Sequence, residues 1–180
     1  QFLSQQGYTA FTMAGGMVAW NSVYDLAVFS GPTYEIIQFR RIGKGCLSYM
    51  IISDGEAVVI DPTIDTSVYL EAAREKGANI IVVLDTHTQA DHISWSRKIA
   101  DEAKAIYYSA DKSNRFEHES LTSGGSISCG KIKVQVLSTP GHTPDSMTFL
   151  LENVAFTGDT LFVDNVGRPD LGEDLSADAA

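Results

Sequence analysis

Three apolar runs in this 180-residue chain each end in a short loop that carries a metal-binding residue type, and this restricts the fold more than anything else in the sequence. Residues 80–84 are continuously apolar, the mark of a strand buried on both faces. They run into Thr86-His87-Thr88-Gln89-Ala90-Asp91-His92. A second run ends in Thr139-Pro140-Gly141-His142-Thr143-Pro144, and a third in Thr157-Gly158-Asp159-Thr160-Leu161-Phe162. Loops at strand ends are where α/β folds place their active sites. His87 and His142 are 55 residues apart, and His142 and Asp159 are 17 apart, so only the tertiary fold can bring them to one ion. Two neutral imidazoles and one carboxylate form a facial set with open positions, which suits Fe(II) and implies catalysis rather than a structural metal.

The rest of the chain reads as an α/β sandwich with helices covering its sheets. Strands are expected over 34–40, 46–53 and 57–60, with Asp54-Gly55 as a hairpin turn. A helix capped by Thr66 or Ser67 should run to Lys76 and stop at Gly77. A second helix is expected over 94–103. Further strands are expected over 105–109, 131–137, 147–151 and 154–156. The tail 171–180 reads as polar and acidic. Residues 1–22 contain a helix end, a short strand over 8–12 and a Gly15-Gly16 turn, too little to bury a core. Residues 23–33, ending in Gly31-Pro32, read as a linker.

With 23 acidic residues against 13 Lys and Arg, the net charge of -10 would repel nucleic acid phosphates and anionic lipid. Neither is expected as a partner. Cys46 and Cys129 are far apart and have no CxxC spacing, which argues against a disulfide framework or zinc knuckle and fits a reducing cytoplasm. Both are expected to pack as small apolar side chains. No apolar run approaches the roughly 20 residues of a membrane helix. His118, in a charged stretch, is read as a solvated loop residue.

From about Tyr34 to Leu171 the chain resembles the metallo-β-lactamase superfamily, and within it the persulfide dioxygenases. The likeness rests on Ile60-Asp61-Pro62, the loop from Thr86 to His92, Gly141-His142-Thr143-Pro144-Asp145-Ser146, Gly158-Asp159-Thr160-Leu161-Phe162 and Gly167-Arg168-Pro169-Asp170-Leu171. It implies a metallo-β-lactamase αββα sandwich over 34–180, incomplete at its C-terminus. It also implies one iron held by His87, His142 and Asp159, with zinc as the alternative metal, and places Arg168 close to a thiol-substrate pocket. Gly7-Tyr8, Gly15-Gly16-Met17 and Trp20 resemble the closing pattern of a rhodanese-like domain, which makes 1–22 the end of such a domain in a fusion protein.

The implied reaction is oxidation of a low-molecular-weight thiol persulfide by O2, with glutathione or another thiol as carrier and a homodimer left open. Gln89 stands where the superfamily places the second His of its HxHxDH loop. This counts against a dinuclear zinc site and hence against the rival reading, a thioester hydrolase similar to glyoxalase II. Gln89, Asp91 and His92 are left as supporting residues around the first metal or remnants of a second site. A third reading is a non-catalytic sulfur-transfer partner with a degenerate metal site. Trp95, where the loop usually has Gly, either narrows the pocket or packs beneath it, and Asp164-Asn165 replaces a Gly-Asp pair of related fusions.

Overall fold

The computed structural model describes residues 2–88, 94–111 and 117–169. Two sheets face each other. The larger has seven strands in the order β1 (Tyr24–Ser30), β2 (Glu35–Arg41), β3 (Cys46–Ser53), β4 (Glu56–Ile60), β5 (Asn79–Leu84), β6 (Ile106–Ser109) and β7 (Glu119–Ser120). The smaller has four, in the order β11 (Val154–Phe156), β10 (Met147–Leu151), β9 (Ile132–Ser138) and β8 (Ser126–Cys129). β1 to β4 form an antiparallel meander, and β5 and β6 then add in parallel.

Between the sheets lies one core, with Ile36, Ile51, Val58, Ile60, Val82 and Leu84 facing Val134, Val136, Phe149, Leu151 and Phe156. On the other face of the larger sheet, Phe39, Met50, Val59 and Val83 pack against Tyr69, Ala72 and Ala73 of helix α3 (Thr66–Glu75) and Ile99 and Ala100 of α4 (Ser96–Ala103). Each fully buried side chain of this size contributes about 1.5–3 kcal/mol. The continuous apolar run in β5 is explained by this position, since the strand is covered by a sheet on one side and helices on the other. Among the described residues no helix covers the outer face of the smaller sheet, so three layers of the expected sandwich are present.

Several expectations need correction. Residues 23–33 are not a linker in conformation: β1 pairs with β2 along its whole length, from Tyr24↔Arg41 to Ser30↔Glu35. β1 is an edge strand with most of its side chains exposed, so no inside/outside alternation marked it. No strand forms over 8–12. Residues 2–20 are exposed throughout and contain only two short helices, α1 (Phe2–Gln5) and α2 (Gly16–Trp20). The cap of α3 is Asp65, whose Oδ1 accepts from Ser67 N at 3.1 Å, rather than Thr66 or Ser67. β7 and β8 were not anticipated, being only two and four residues long. The acidic tail over 171–180 lies outside the described residues.

Candidate metal centre

The first strand-end loop begins where β5 leaves the sheet. The chain there is stitched to both sheets: Asp61 N donates to Leu84 O at 2.9 Å, and Met147 N, at the start of β10, donates to Thr86 O at 2.7 Å. The second loop follows β9 and the third follows β11, neighbours on either side of β10. All three loops therefore open at one end of the sandwich. Donor atoms of His87, His142 and Asp159 lie within 4.8 Å of one another there.

Asp159 Oδ2 is 4.0 Å from His87 Nε2 and 3.6 Å from His142 Nε2. The imidazole planes stand at 82° to each other with centroids 5.0 Å apart. Both rings are buried, while the Asp159 side chain is 48% exposed, so the cluster opens to solvent on the carboxylate side.

Which ring nitrogen of each His faces the centre is decided by its other hydrogen bond. Thr86 Oγ1 donates a hydrogen bond to Asp61 Oδ2 at 2.8 Å, and Thr86 N donates to Asp61 Oδ1 at 2.7 Å. With its only hydrogen committed, Thr86 Oγ1 accepts from His87 Nδ1 at 2.8 Å. His142 Nδ1 donates to Arg168 O at 3.0 Å. In both rings Nε2 is thus the nitrogen on the Asp159 side. Thr86→Val, which keeps the shape but removes the relay, is expected to weaken metal affinity by about tenfold, the usual scale for losing such a support. Chelator competition measures it, and unchanged affinity would exclude the relay as an orienting device.

Asp61 was quoted in the sequence only as part of a matched segment, without a role. It sits at φ +51, is buried, and lines the same cleft as His87 and Asp159. Burial pushes its carboxyl up to about 8; the Asp85 and Asp159 charges add to this and the Thr86 hydrogen bonds oppose it. A divalent cation at the three donor atoms would offset this crowding of carboxylates, so the residues present fit a metal ion on electrostatic as well as geometric grounds. Asp145 was also missed: its Oδ2 accepts from Thr88 N at 2.8 Å and Thr88 Oγ1 at 2.7 Å, tying the His142 loop to the His87 loop.

Beside the cluster is an open cleft of about 590 Å³. One wall is the turn and strand carrying Lys44, Cys46, Leu47 and Tyr49, and another is Leu161, Phe162 and Val163. Cys46 thus lines the cleft instead of packing in the core, whereas Cys129 is buried and its thiol is pushed up to about 11 by that burial. Arg168 is not among the cleft-lining residues; its main-chain carbonyl holds His142. Trp95 does not line the cleft either, but starts α4, donates from its N to Pro62 O at 3.1 Å, and has Lys98 Nζ 4.4 Å from its ring. Asn165 closes a turn, its O and Oδ1 both accepting at 2.8 Å, from Phe162 N and Val166 N. His118 lies against Tyr107, with ring centroids 6.1 Å apart, and is not one of the clustered donors. Gln89, Asp91 and His92 lie outside the described residues.

Comparison with known proteins agrees with this geometry. Residues 41–179 match the metallo-beta-lactamase superfamily. The mitochondrial persulfide dioxygenase ETHE1 of Bos taurus is 31% identical over 136 residues, 71% of this chain and 53% of that protein. A hydroxyacylglutathione hydrolase of Anaeromyxobacter dehalogenans is 30% identical over 129 residues, 71% of this chain and 50% of that one. Among solved structures, ETHE1 from Myxococcus xanthus superposes with a TM-score of 0.67 at 28% identity, covering 83% of this chain and 63% of that one. The chain spans about half the length of the curated relatives it matches. The superfamily match begins at residue 41, so the rhodanese-like ending expected over 1–22 stands outside it. With more than half of its length matched and its two-sheet fold and clustered His, His and Asp in place, the chain belongs to the metallo-β-lactamase superfamily.

Proposed function

We propose that the chain carries the metal centre of an iron-dependent dioxygenase that converts a low-molecular-weight thiol persulfide, O2 and water into the thiol, sulfite and two protons. The observation that supports this reading is the cluster of two imidazoles and one carboxylate within 4.8 Å, with both Nδ1 atoms tied back. His87, His142 and Asp159 would hold the ion. When bound, iron would supply the open positions at which the persulfide sulfur and O2 are activated. Thr86 and the Arg168 carbonyl keep the two rings oriented, and Asp159 offsets part of the ion's charge. Leu47, Leu161 and Phe162 offer an apolar surface to the thiol carrier. The test is oxygen uptake with glutathione persulfide by the iron-loaded full-length protein, and uptake no greater than in a metal-free control would overturn the reading.

The second reading, a thioester hydrolase acting through metal-activated water, is favoured by the hydroxyacylglutathione hydrolase relative at similar identity. Gln89 separates the two. In a mono-iron dioxygenase, Gln89→His should leave iron content and persulfide oxidation within about tenfold, as expected where position 89 is not itself a ligand. In a damaged hydrolase it should sharply raise zinc affinity and recover cleavage of S-lactoylglutathione. Both activities are to be measured on one preparation loaded separately with iron and zinc. Recovered thioester cleavage with no persulfide oxidation in either form would decide for the hydrolase.

A further inference from the structure

We infer that Lys44, at the tip of the β2–β3 turn, is a specificity residue of the cleft, binding an anionic end group, carboxylate or phosphate, on the carrier of the reacting sulfur. The choice of a sulfur-bearing ligand rests on the function proposed above; the assignment of an anionic end group rests on the cleft itself. Among the described residues lining it, the carboxyl side chains are Asp61 and Asp159, and the Lys or Arg side chain is Lys44. Tyr49 of β3 pairs with Ile60, the neighbour of Asp61, while Lys44 lies farther along the same line, past Leu47 and Cys46 in the β2–β3 turn. A ligand with its reactive atom at the metal and its length in the cleft would lie among Leu47, Leu161 and Phe162 and within the reach of Lys44, the Lys or Arg of the described lining.

The charge of the whole chain gives this cation its importance. At a net charge of -10, an anionic substrate is repelled by the field of the protein, and a local positive group in the cleft is what reverses that repulsion. Lys44 Nζ has no ion-pair partner among the described residues, whereas Lys76, Lys98 and Lys131 each have one. Its backbone is also held in place. Lys44 N and Gly45 N both donate to Arg41 O, at 3.1 and 2.8 Å, and Ile42 N donates to Val23 O at 3.1 Å. Arg41 Nε donates to Asn21 O at 2.7 Å. Gly43 is pressed so closely on Trp20 and Asn21 that a Cβ there would come within 2.9 Å of Trp20 O and of Asn21 Cα. The turn is thus anchored from behind by residues 20–23, and only the Lys44 side chain has to be ordered when an anion binds, which limits the entropic cost.

The test uses the unreactive thioethers S-methylglutathione and S-methyl-coenzyme A, with S-methylglutathione diethyl ester as the probe lacking carboxylates, titrated calorimetrically into the full-length protein. Lys44→Gln should weaken binding of at least one anionic probe by about five- to tenfold, the range between an exposed and a partly desolvated charged contact. Lys44→Arg should stay within about twofold of wild type, and the diethyl ester should bind Lys44→Gln and wild type alike. Loss confined to S-methylglutathione identifies a carboxylate, and loss confined to S-methyl-coenzyme A a phosphate. Equal affinities of wild type and Lys44→Gln for both anionic probes, or equal losses for the anionic and esterified probes, would overturn the inference, as would failure of the wild type to bind either anion. None of these readings depends on turnover, so absent oxygen uptake would refute the dioxygenase reading separately.

Discussion

Asp159→Asn is expected to reduce bound iron or zinc from about one ion per chain to under about a tenth under chelator competition, because it removes the only anionic donor of the set. The carboxamide keeps an oxygen lone pair but no charge, and the two neutral imidazoles offset none of the ion's charge. Folding should suffer little. The Asp159 side chain is half exposed, and a substitution at such a position typically changes stability by about 0.5 kcal/mol or less. Elemental analysis after dialysis and thermal melts of the metal-free protein check both halves. Wild-type metal content in Asp159→Asn would show that Asp159 is not a ligand, and a collapse of the metal-free fold would show that its role is structural.

Gly167→Ala is expected to remove both metal binding and a substantial part of the stability. A Cβ at Gly167 would lie 1.7 Å from the Asp159 carbonyl oxygen and 3.1 Å from His142 Cβ. The first of these is backbone and cannot swing aside. The clash forces apart the chain that carries Asp159 and the chain whose Arg168 carbonyl holds His142. Overpacking of this kind costs about 1–3 kcal/mol or more, which for a chain of this size is a drop of very roughly 2–12 °C in Tm. Gly158→Ala is the companion case: its Cβ would meet Thr86 Oγ1 at 2.3 Å, and the residue also has φ +50, which side-chain-bearing residues rarely adopt. Wild-type metal affinity in Gly167→Ala, measured by chelator competition, would show that the close approach is not needed to assemble the site.

Both substitutions turn on how the three candidate donors are placed. His87, His142 and Asp159 were legible in the sequence because each follows an apolar run long enough to be recognised as a strand, and each sits in a short loop of Gly, Thr and Pro. The supports of these three side chains were not legible. Thr86 lies beside His87 in sequence, yet its meaning depends on Asp61, 25 residues earlier, which is drawn to it by the parallel pairing of β4 with β5. Arg168 was noticed for its side chain, and the contact of its backbone carbonyl with His142 Nδ1 is one that every residue could make and no sequence pattern advertises. Lys44 looked like one more lysine in a turn until the fold set that turn in the wall of the cleft.

Secondary structure divides along the same line. β3, β4, β5, β10 and β11 read correctly because burial on one or both faces leaves a local hydrophobic signature. β1 carried no such signature, since an edge strand gains its conformation from hydrogen bonds to β2 rather than from burial of its own side chains. β8 has only Ile127 and Cys129 to bury, too few to establish a period. By itself, then, the sequence determined where the buried strands run and which three residues stand at their ends, because burial and loop chemistry are local and written in residue type. The tertiary structure alone decided which donor atoms lie together, which carboxyl is buried behind them and which lysine shares their cleft. Those relations join residues tens of positions apart, and they exist only once two sheets have packed and brought their loops to a common end.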